Sequence, residues 1–315
     1  MGKTASGCRL QGASMSNRSD TRISMVVATL GRSGELEPLL ASLAAQRRRD
    51  FELIVVDQNR DDRLVSVLAG WRDDFEIVHI RTPLPGVCRA RNLGATKARG
   101  EWLLFPDDDC WYPDDFMARL DSLRKEHSAD FYCGRAVNLS GETIMGNFSR
   151  IPAAIVRANV WTTLIEWMLL VRSSAFLAAG GFDEQIGPGS GTPWGAYEVQ
   201  DLALSLLSTG AKGFYDPALT GFHPDDISDR TSPESIAKMR TYSSGLGYVM
   251  RKHGFGVASY LPRLLRPLAG VAVYGLTGRT GMAQRSLEIF RGRWSGWTDA
   301  PRSVHEVRTG VRAIF

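Results

Sequence analysis

Residues 100–115, GEWLLFPDDDCWYPDD, restrict the fold more than any other part of the chain. Trp102, Leu103, Leu104 and Phe105 make a short apolar strand that stops at Pro106 and delivers three carboxylates in succession. On an extended backbone Asp107 and Asp109 share one face, and Asp108 points to the other. Like charges at that spacing repel unless a positive group lies between them, and a divalent cation held by oxygen ligands is the usual solution. A bare acidic triplet is equally compatible with a solvated turn closing a strand. The buried strand before it, and Trp111, Tyr112 and Pro113 after it, count against that plainer reading.

The residues upstream supply a setting for such a site. Ile23 to Thr29 is a β-branched apolar run ending in a Leu30-Gly31-Arg32 turn, with Ser33 placed to cap a helix carrying Leu36, Leu39, Leu40 and Leu43. A second buried strand, Phe51 to Val56, ends on Asp57. A third, Phe75 to Ile80, follows a helical stretch with Leu64, Val67, Leu68 and Trp71. Short units alternating strand and helix predict an α/β protein with a parallel, doubly wound, Rossmann-like sheet. Ligands of such sheets bind at the carboxyl ends of the strands, where Thr29, Asp57 and Asp107 to Asp109 all fall. Residues 85–100 read as a helix with Arg89, Arg91 and Asn92 near its start, a pattern suited to phosphate oxygens. A solvated cationic face is the competing explanation, and it fits Arg89 better than Arg91.

This order of motifs resembles a family 2 glycosyltransferase with the GT-A fold. The resemblance rests on the first strand ending at Thr29, the second at Asp57, and then RARNLGATKARGEWLLFPDDD. LLVRSSAFLAAGGFDE at residues 169–184 and PWGAYEVQDLALSLLSTGAKGFYDPALTGFH at 193–223 resemble the family's acceptor half. The resemblance implies a nucleotide-sugar half over residues 22–112 and an acceptor half over 113–223; beyond it, residues 224–315 read as a basic helical extension. It further implies that Asp57 bonds the nucleobase, with Ala28, Thr29 and Arg32 lining its pocket and Arg91 near the diphosphate. Asp107 and Asp108 would lie in the donor site, Asp107 at the ribose or the metal. Asp109 and His223 would hold a divalent Mn2+ or Mg2+ ion. The implied activity is inverting transfer of a sugar from a nucleoside diphosphate to a hydroxyl of a glycan or lipid-linked acceptor. A bacterial role in surface polysaccharide or glycolipid assembly is likewise only implied.

The acceptor motif departs from the family pattern. Many relatives read Glu-Asp-x-Asp-Leu, the second acid serving as base, whereas this chain reads Glu198-Val199-Gln200-Asp201-Leu202. Valine accepts no proton, so the base falls to Glu198 or to Asp201, which share a helix face at i and i+3. Glu198 is the preferred choice, and a structural carboxylate is the alternative for Asp201. The preceding loop, GPGSGTPWG at 187–195, is suited to close backbone approach or to movement as a lid, or it is a plain surface connection. Trp194 in it is a candidate for stacking on an acceptor sugar, or an anchor of the loop to the core. Trp161, Trp167 and Met168 read as core.

Charge is unevenly distributed. Residues 251–315 hold eleven Lys and Arg against three Asp and Glu, in a chain whose overall net charge is +4. A cationic end on an anionic body predicts an anionic partner, a membrane surface ahead of nucleic acid, for which no motif is present. Residues 260–276 are apolar but interrupted by arginines, prolines and glycines; an interfacial helix or a helical pair packed on the catalytic domain would suit them. No apolar run reaches the ~18 residues of a spanning helix. The polar segment 1–21 reads as disordered, with Met15 a possible start and no signal-peptide core. Cys8, Cys88, Cys110 and Cys133 show no pairing pattern and read as reduced thiols, which with the absence of a leader predicts a cytoplasmic protein, peripheral at most to the inner membrane face. Two other functions stay open on sequence: a nucleotidyltransferase on a related sheet, and a non-catalytic nucleotide-sugar-binding scaffold, the latter because of Val199.

Overall fold

Eight strands form one sheet in the computed structural model, which describes residues 23–224 and 229–300. The expected disordered segment 1–21, Cys8 and the last fifteen residues of the basic extension lie outside the described residues. The strands are β1 (Ile23–Thr29), β2 (Phe51–Asp57), β3 (Glu76–Arg81), β4 (Trp102–Leu104), β5 (Phe131–Val137), β6 (Ala153–Ile155), β7 (Leu170–Arg172) and β8 (Gly213–Phe222). Their order across the sheet is β3-β2-β1-β4-β7-β5-β8-β6. The first four are mutually parallel, as predicted, and every residue of β2 is buried, which is why its sequence runs apolar without alternation. β7 is antiparallel to both β4 and β5, and β8 is parallel to β5. Two reversals cancel, so β8 ends at the same sheet edge as β1, β2 and β4. His223, one residue past β8, therefore arrives beside the acidic triplet that follows β4.

Helices α1 (Glu37–Ala44), α2 (Arg63–Ala69), α3 (Val87–Ala95), α4 (Phe116–Glu126), α5 (Ser173–Ala179) and α6 (Glu198–Ser208) cover the sheet. Ser33 does not cap the first of them: it makes no side-chain cap bond, and its backbone N–H donates to Glu35 at 2.9 Å. A turn of 3-10 helix at Gly34–Leu36 intervenes, so Leu36 occupies the cap position. Trp71 falls beyond the end of α2 and donates its indole N–H to Glu37. The core is continuous from Met25 and Val55 through Trp102 and Phe105 to Trp167, Met168 and Tyr215. Cys88, Cys110 and Cys133 are free and buried within it.

Three long helices follow: α7 (Pro233–Lys252), α8 (Val257–Leu276) and α9 (Thr280–Asp299). α7 starts cleanly because Ser232 accepts from the Ser235 N–H at 3.1 Å and Pro233 takes the first turn. α8 runs on through Pro262 and Pro267, where the sequence suggested interruption. Gly292 and Gly296 let α9 lie almost backbone to backbone on α7, since a Cβ on Gly296 would stand 1.9 Å from the Ser244 carbonyl oxygen. α7 in turn sits on the acceptor half: Gly195 N–H donates to Thr241 O at 3.0 Å, and Tyr248 and Val249 belong to the main core. α8, which covers the apolar stretch 260–276, lies chiefly against α9, and α7 is the helix that meets the catalytic domain.

Candidate active site

A cleft opens along the carboxyl edge of the sheet, lined by Ala28, Arg32, Gln58, Arg91, Asp107, Asp108, Asp109, Glu166, Glu198 and His223, among others. Each is placed by an element end. β1 hands over Ala28, β2 gives Gln58, β4 leads to the three aspartates, α6 begins at Glu198, and β8 releases His223. Five carboxylates face Arg32, Arg91, Lys238 and one imidazole, an acidic excess of the kind that a bound cation would relieve.

The triplet is a turn rather than an extension of β4, so all three carboxylates face the cleft and the alternation expected for a strand does not apply. Asp107 accepts from Arg91 Nη2 at 2.6 Å. Asp108 accepts from Arg32 Nη1 at 2.8 Å, and the same guanidinium reaches Asp109. Asp109 meets His223 Nε2 at 3.1 Å. Asp107, Asp109 and His223 each offer one ligand atom, all within 4.8 Å of one another. Two carboxylate oxygens and an imidazole nitrogen suit Mn2+ or Mg2+, the imidazole favouring Mn2+.

The titrations diverge within this small space. Burial pushes Asp107 up to about 7 against the pull of Arg91, with Glu166, Asp109 and Asp108 adding repulsion. Burial acts on Asp109 in the same direction, but His223 and Arg32 overcome it and hold it at about 2. His223 is raised, its desolvation outweighed by Asp109 and the Pro224 carbonyl. Arg91 is completely buried, its Nε and Nη1 have no hydrogen-bond partner, and Glu198 stands 3.6 Å away. Glu198 itself is raised by burial, and Arg91 offsets this only in part.

Asp201 lies one helical turn from Glu198 in a different environment. It is 2% exposed, accepts from Lys252 Nζ at 2.9 Å and meets His253 Nε2 at 2.7 Å. Lys252 also bonds Asp183 at 2.7 Å, and Tyr248 donates to that carboxylate at 3.1 Å. Burial would raise Asp201, yet Lys252 and His253 prevail and depress it. Asp201 is not among the cleft residues. The backbone is strained just before the first of the two acids: Tyr197, which precedes Glu198, has φ +79°, a left-handed conformation costly for a bulky side chain.

Other expected site residues fall as follows. Asp57 is fully buried, its oxygens taken by His79 Nε2 at 2.9 Å and the Asn59 N–H at 2.8 Å, and its neighbour Gln58 faces the cleft instead. The Gln58 Oε1 has no hydrogen-bond partner. Thr29 is buried and not among the cleft residues, its hydroxyl has no hydrogen-bond partner, and burial raises Asp108 against the pull of Arg32. Trp194 stacks on Tyr248 with ring centres 3.9 Å apart, which anchors its loop on α7 and takes its ring away from the cleft lining. The loop does approach the cleft through Pro188 and Gly189, and the Val87 N–H donates to Pro188 O at 3.0 Å. Gly189 at φ +76° lies so close to Gly86 that a Cβ would stand 3.0 Å from its nitrogen.

Sequence reasoning missed Glu166, Lys238 and Tyr242. Glu166 enters from a turn of 3-10 helix, Glu166–Met168, and burial and Glu198 raise its pKa. Lys238 and Tyr242 come from α7, and the tyrosine is pushed up to about 12 by burial and by Glu198, Glu166 and Asp107. The i, i+4 spacing of Lys238 and Tyr242 was the only available signal.

The chain is similar in sequence and in fold to known glycosyltransferases. Residues 24–159 match Glycosyl transferase family 2. A protein of Haemophilus influenzae, an uncharacterized glycosyltransferase, is 32% identical over 195 residues, 59% of this chain and 62% of that protein. A PGL/p-HBAD biosynthesis glycosyltransferase of Mycobacterium tuberculosis is 30% identical over 142 residues, covering 44% of this chain and 55% of its relative. The chain thus spans less than two thirds of the length of either relative. Among solved structures, a mannosyltransferase from Pyrobaculum calidifontis in complex with GDP-Man and Mn2+ superposes with a TM-score of 0.59 at 13% identity, over 89% of this chain and 88% of that one. S. aureus TarS 1-349 in complex with UDP-GlcNAc gives 0.53 at 14% identity, over 89% and 92% of the two chains. At these identities the structural likeness establishes the GT-A fold.

Proposed function

We propose, from the match of residues 24–159 to Glycosyl transferase family 2 and from the geometry of the cleft, that this chain transfers a sugar from a nucleoside diphosphate to a hydroxyl of a glycan or lipid-linked acceptor, with inversion. The observation that carries this reading is the pairing of two groups across one cleft. On one side Asp107, Asp109 and His223 converge as cation ligands; on the other Glu198 is buried and raised, with Arg91 at 3.6 Å as its only cationic partner among the described residues.

The nucleobase end lies at the tips of β1 and β2, between Ala28, Leu30 and Gln58, with Asp57 behind them holding the Asn59 amide. The free Gln58 Oε1 suits a base N–H. Arg91 lends its charge to the diphosphate from the cleft wall, and Arg32 borders the same oxygens from the β1 turn. Asp107, Asp109 and His223 would hold the divalent ion, which when bound supplies positive charge to the departing diphosphate. The acceptor oxygen forms its bond to the anomeric carbon on the face opposite the diphosphate, as the bond to the diphosphate oxygen breaks. Glu198 takes the proton of that hydroxyl. Its raised pKa makes it a stronger base than an exposed carboxylate, nearer the optimum for proton transfer at neutral pH. Asp201 is committed to Lys252 and His253, which leaves it a positioning role at the base of α6.

The test is release of nucleoside diphosphate from a panel of nucleotide sugars by the purified full chain with Mn2+, alongside Glu198→Gln. The expected result is turnover of at least one donor, lost in the variant while donor binding persists. Normal turnover by Glu198→Gln would remove the base assignment and return Asp201 to consideration.

A further inference from the structure

The outward side of α8 is apolar along its whole length. Val257, Leu261, Leu265, Leu268, Val273 and Leu276 are all exposed, Leu276 by 90%. At about 3.6 residues per turn they lie, with the alanines between them, on one half of the helix, while Tyr260, Leu264 and Pro267 on the other half are buried. Scattered exposed leucines are ordinary, but a contiguous stripe of them marks an interaction surface. α8 contains no Asp or Glu.

Arginines without carboxylate partners flank this stripe. Arg266 and Arg293 line a groove between α8 and α9 together with Val273, Tyr274 and Ile289. Arg263 adjoins them: Arg293 donates to its backbone carbonyl, and its own guanidinium lies over Trp161. Burial lowers the Arg293 pKa, and repulsion from Arg266 and Arg263 lowers it further, so the three cations are close in space. Among the described residues none of the three is paired with Asp or Glu. Glu288 of α9 is occupied by Arg240 and Arg291.

An apolar stripe beside uncompensated guanidinium groups complements a surface that is anionic outside and hydrocarbon within. A second copy of the chain would set the same cations against one another. No helix among the described residues is long and apolar enough to cross a membrane, which leaves contact in the headgroup plane. We propose that α8, with the Arg263, Arg266 and Arg293 cluster, docks this protein on an anionic phospholipid surface. Because α9 is locked to α7 at Gly292 and Gly296, and α7 gives Lys238 and Tyr242 to the cleft, docking fixes the cleft relative to the lipid. The inference stands independently of which sugar, acceptor or base the cleft uses.

Co-sedimentation of the full chain with phosphatidylglycerol vesicles, against phosphatidylcholine vesicles and a lipid-free control, tests it. Binding is expected to the anionic vesicles alone, and to weaken as salt rises. Leu265→Ser with Leu268→Ser should cut partitioning about tenfold or more, from lost apolar burial. Arg266→Glu should cut it about fivefold to tenfold or more by reversing one interfacial charge. All three positions are exposed and outside the cleft, so nucleotide binding in solution should stay unchanged and certify the fold. Pelleting no greater than the lipid-free control, equal binding to neutral vesicles, or binding indifferent to these substitutions would overturn the proposal. So would a dimer in solution that the leucine substitutions dissociate in place of any vesicle binding.

Discussion

Two buried acidic regions lie one turn of α6 apart and are built on opposite terms. Around Asp201 and Asp183 every carboxylate has a short bond to Lys252, His253 or Tyr248, and Asp201 is depressed. Around Asp107, Glu166 and Glu198 a single buried arginine serves three acids, and all three are raised. Burial of charge is expensive in either place. The first region meets that cost within the protein and gains rigidity where α7 meets α6. The second leaves most of that cost unmet among its own side chains, the pattern expected of a binding site and not of a structural ion pair.

The strongest way to break this comparison is to exchange the consequences of its two central residues. Glu198→Gln should lower turnover by about 10²- to 10⁴-fold, the range of a general base, with no loss of thermal stability. Asp201→Ala should do the reverse, removing about 3 kcal/mol of stability in urea unfolding because Lys252 and His253 lose a buried partner. Comparable losses of stability from both substitutions would erase the distinction.

A subtler separation comes from pH. Asp107 is raised from 3.8 to about 7, so in the metal-free protein its contribution favours folding at low pH and is lost as pH rises through about 7. Asp201 is depressed, so its contribution is complete above its unfolded value of 3.8 and is lost as pH falls through the folded value. Urea unfolding across this range should show Asp107→Asn flattening the neutral limb and Asp201→Asn flattening the acid limb. The smallest effect belongs to Glu166→Gln. Burial, Asp107 and Asp201 raise Glu198 without it, so the acid limb of the rate profile should stay in place with the maximal rate retained.

Much of the cleft was legible because several of its parts terminate an element with a strong signature. The apolar runs ending at Thr29, Asp57 and Leu104 announced buried parallel strands, and a parallel sheet places strand ends on one edge. His223 was reached through the resemblance alone, because the reversals at β7 that bring it to this edge leave no local pattern. Glu166 was hidden because a three-residue helical turn leaves no periodicity. Lys238 and Tyr242 were hidden because a helix tells which residues share a face and not what that face meets. The choice between Glu198 and Asp201 depended on Lys252 and His253, some fifty positions away in sequence. The aspartate triplet was found for a partly mistaken reason: strand alternation would have turned Asp108 away, whereas a turn brings all three into the cleft.

The most direct test of the account is a calorimetric titration of the full chain with a panel of nucleoside diphosphates, with and without Mn2+, repeated for Asp109→Ala. The account predicts tight binding of one nucleoside diphosphate that requires the metal and disappears in the variant. Absence of any metal-dependent nucleotide binding by the intact protein would make the Asp107, Asp109 and His223 group a structural turn, and the donor site with it would be lost.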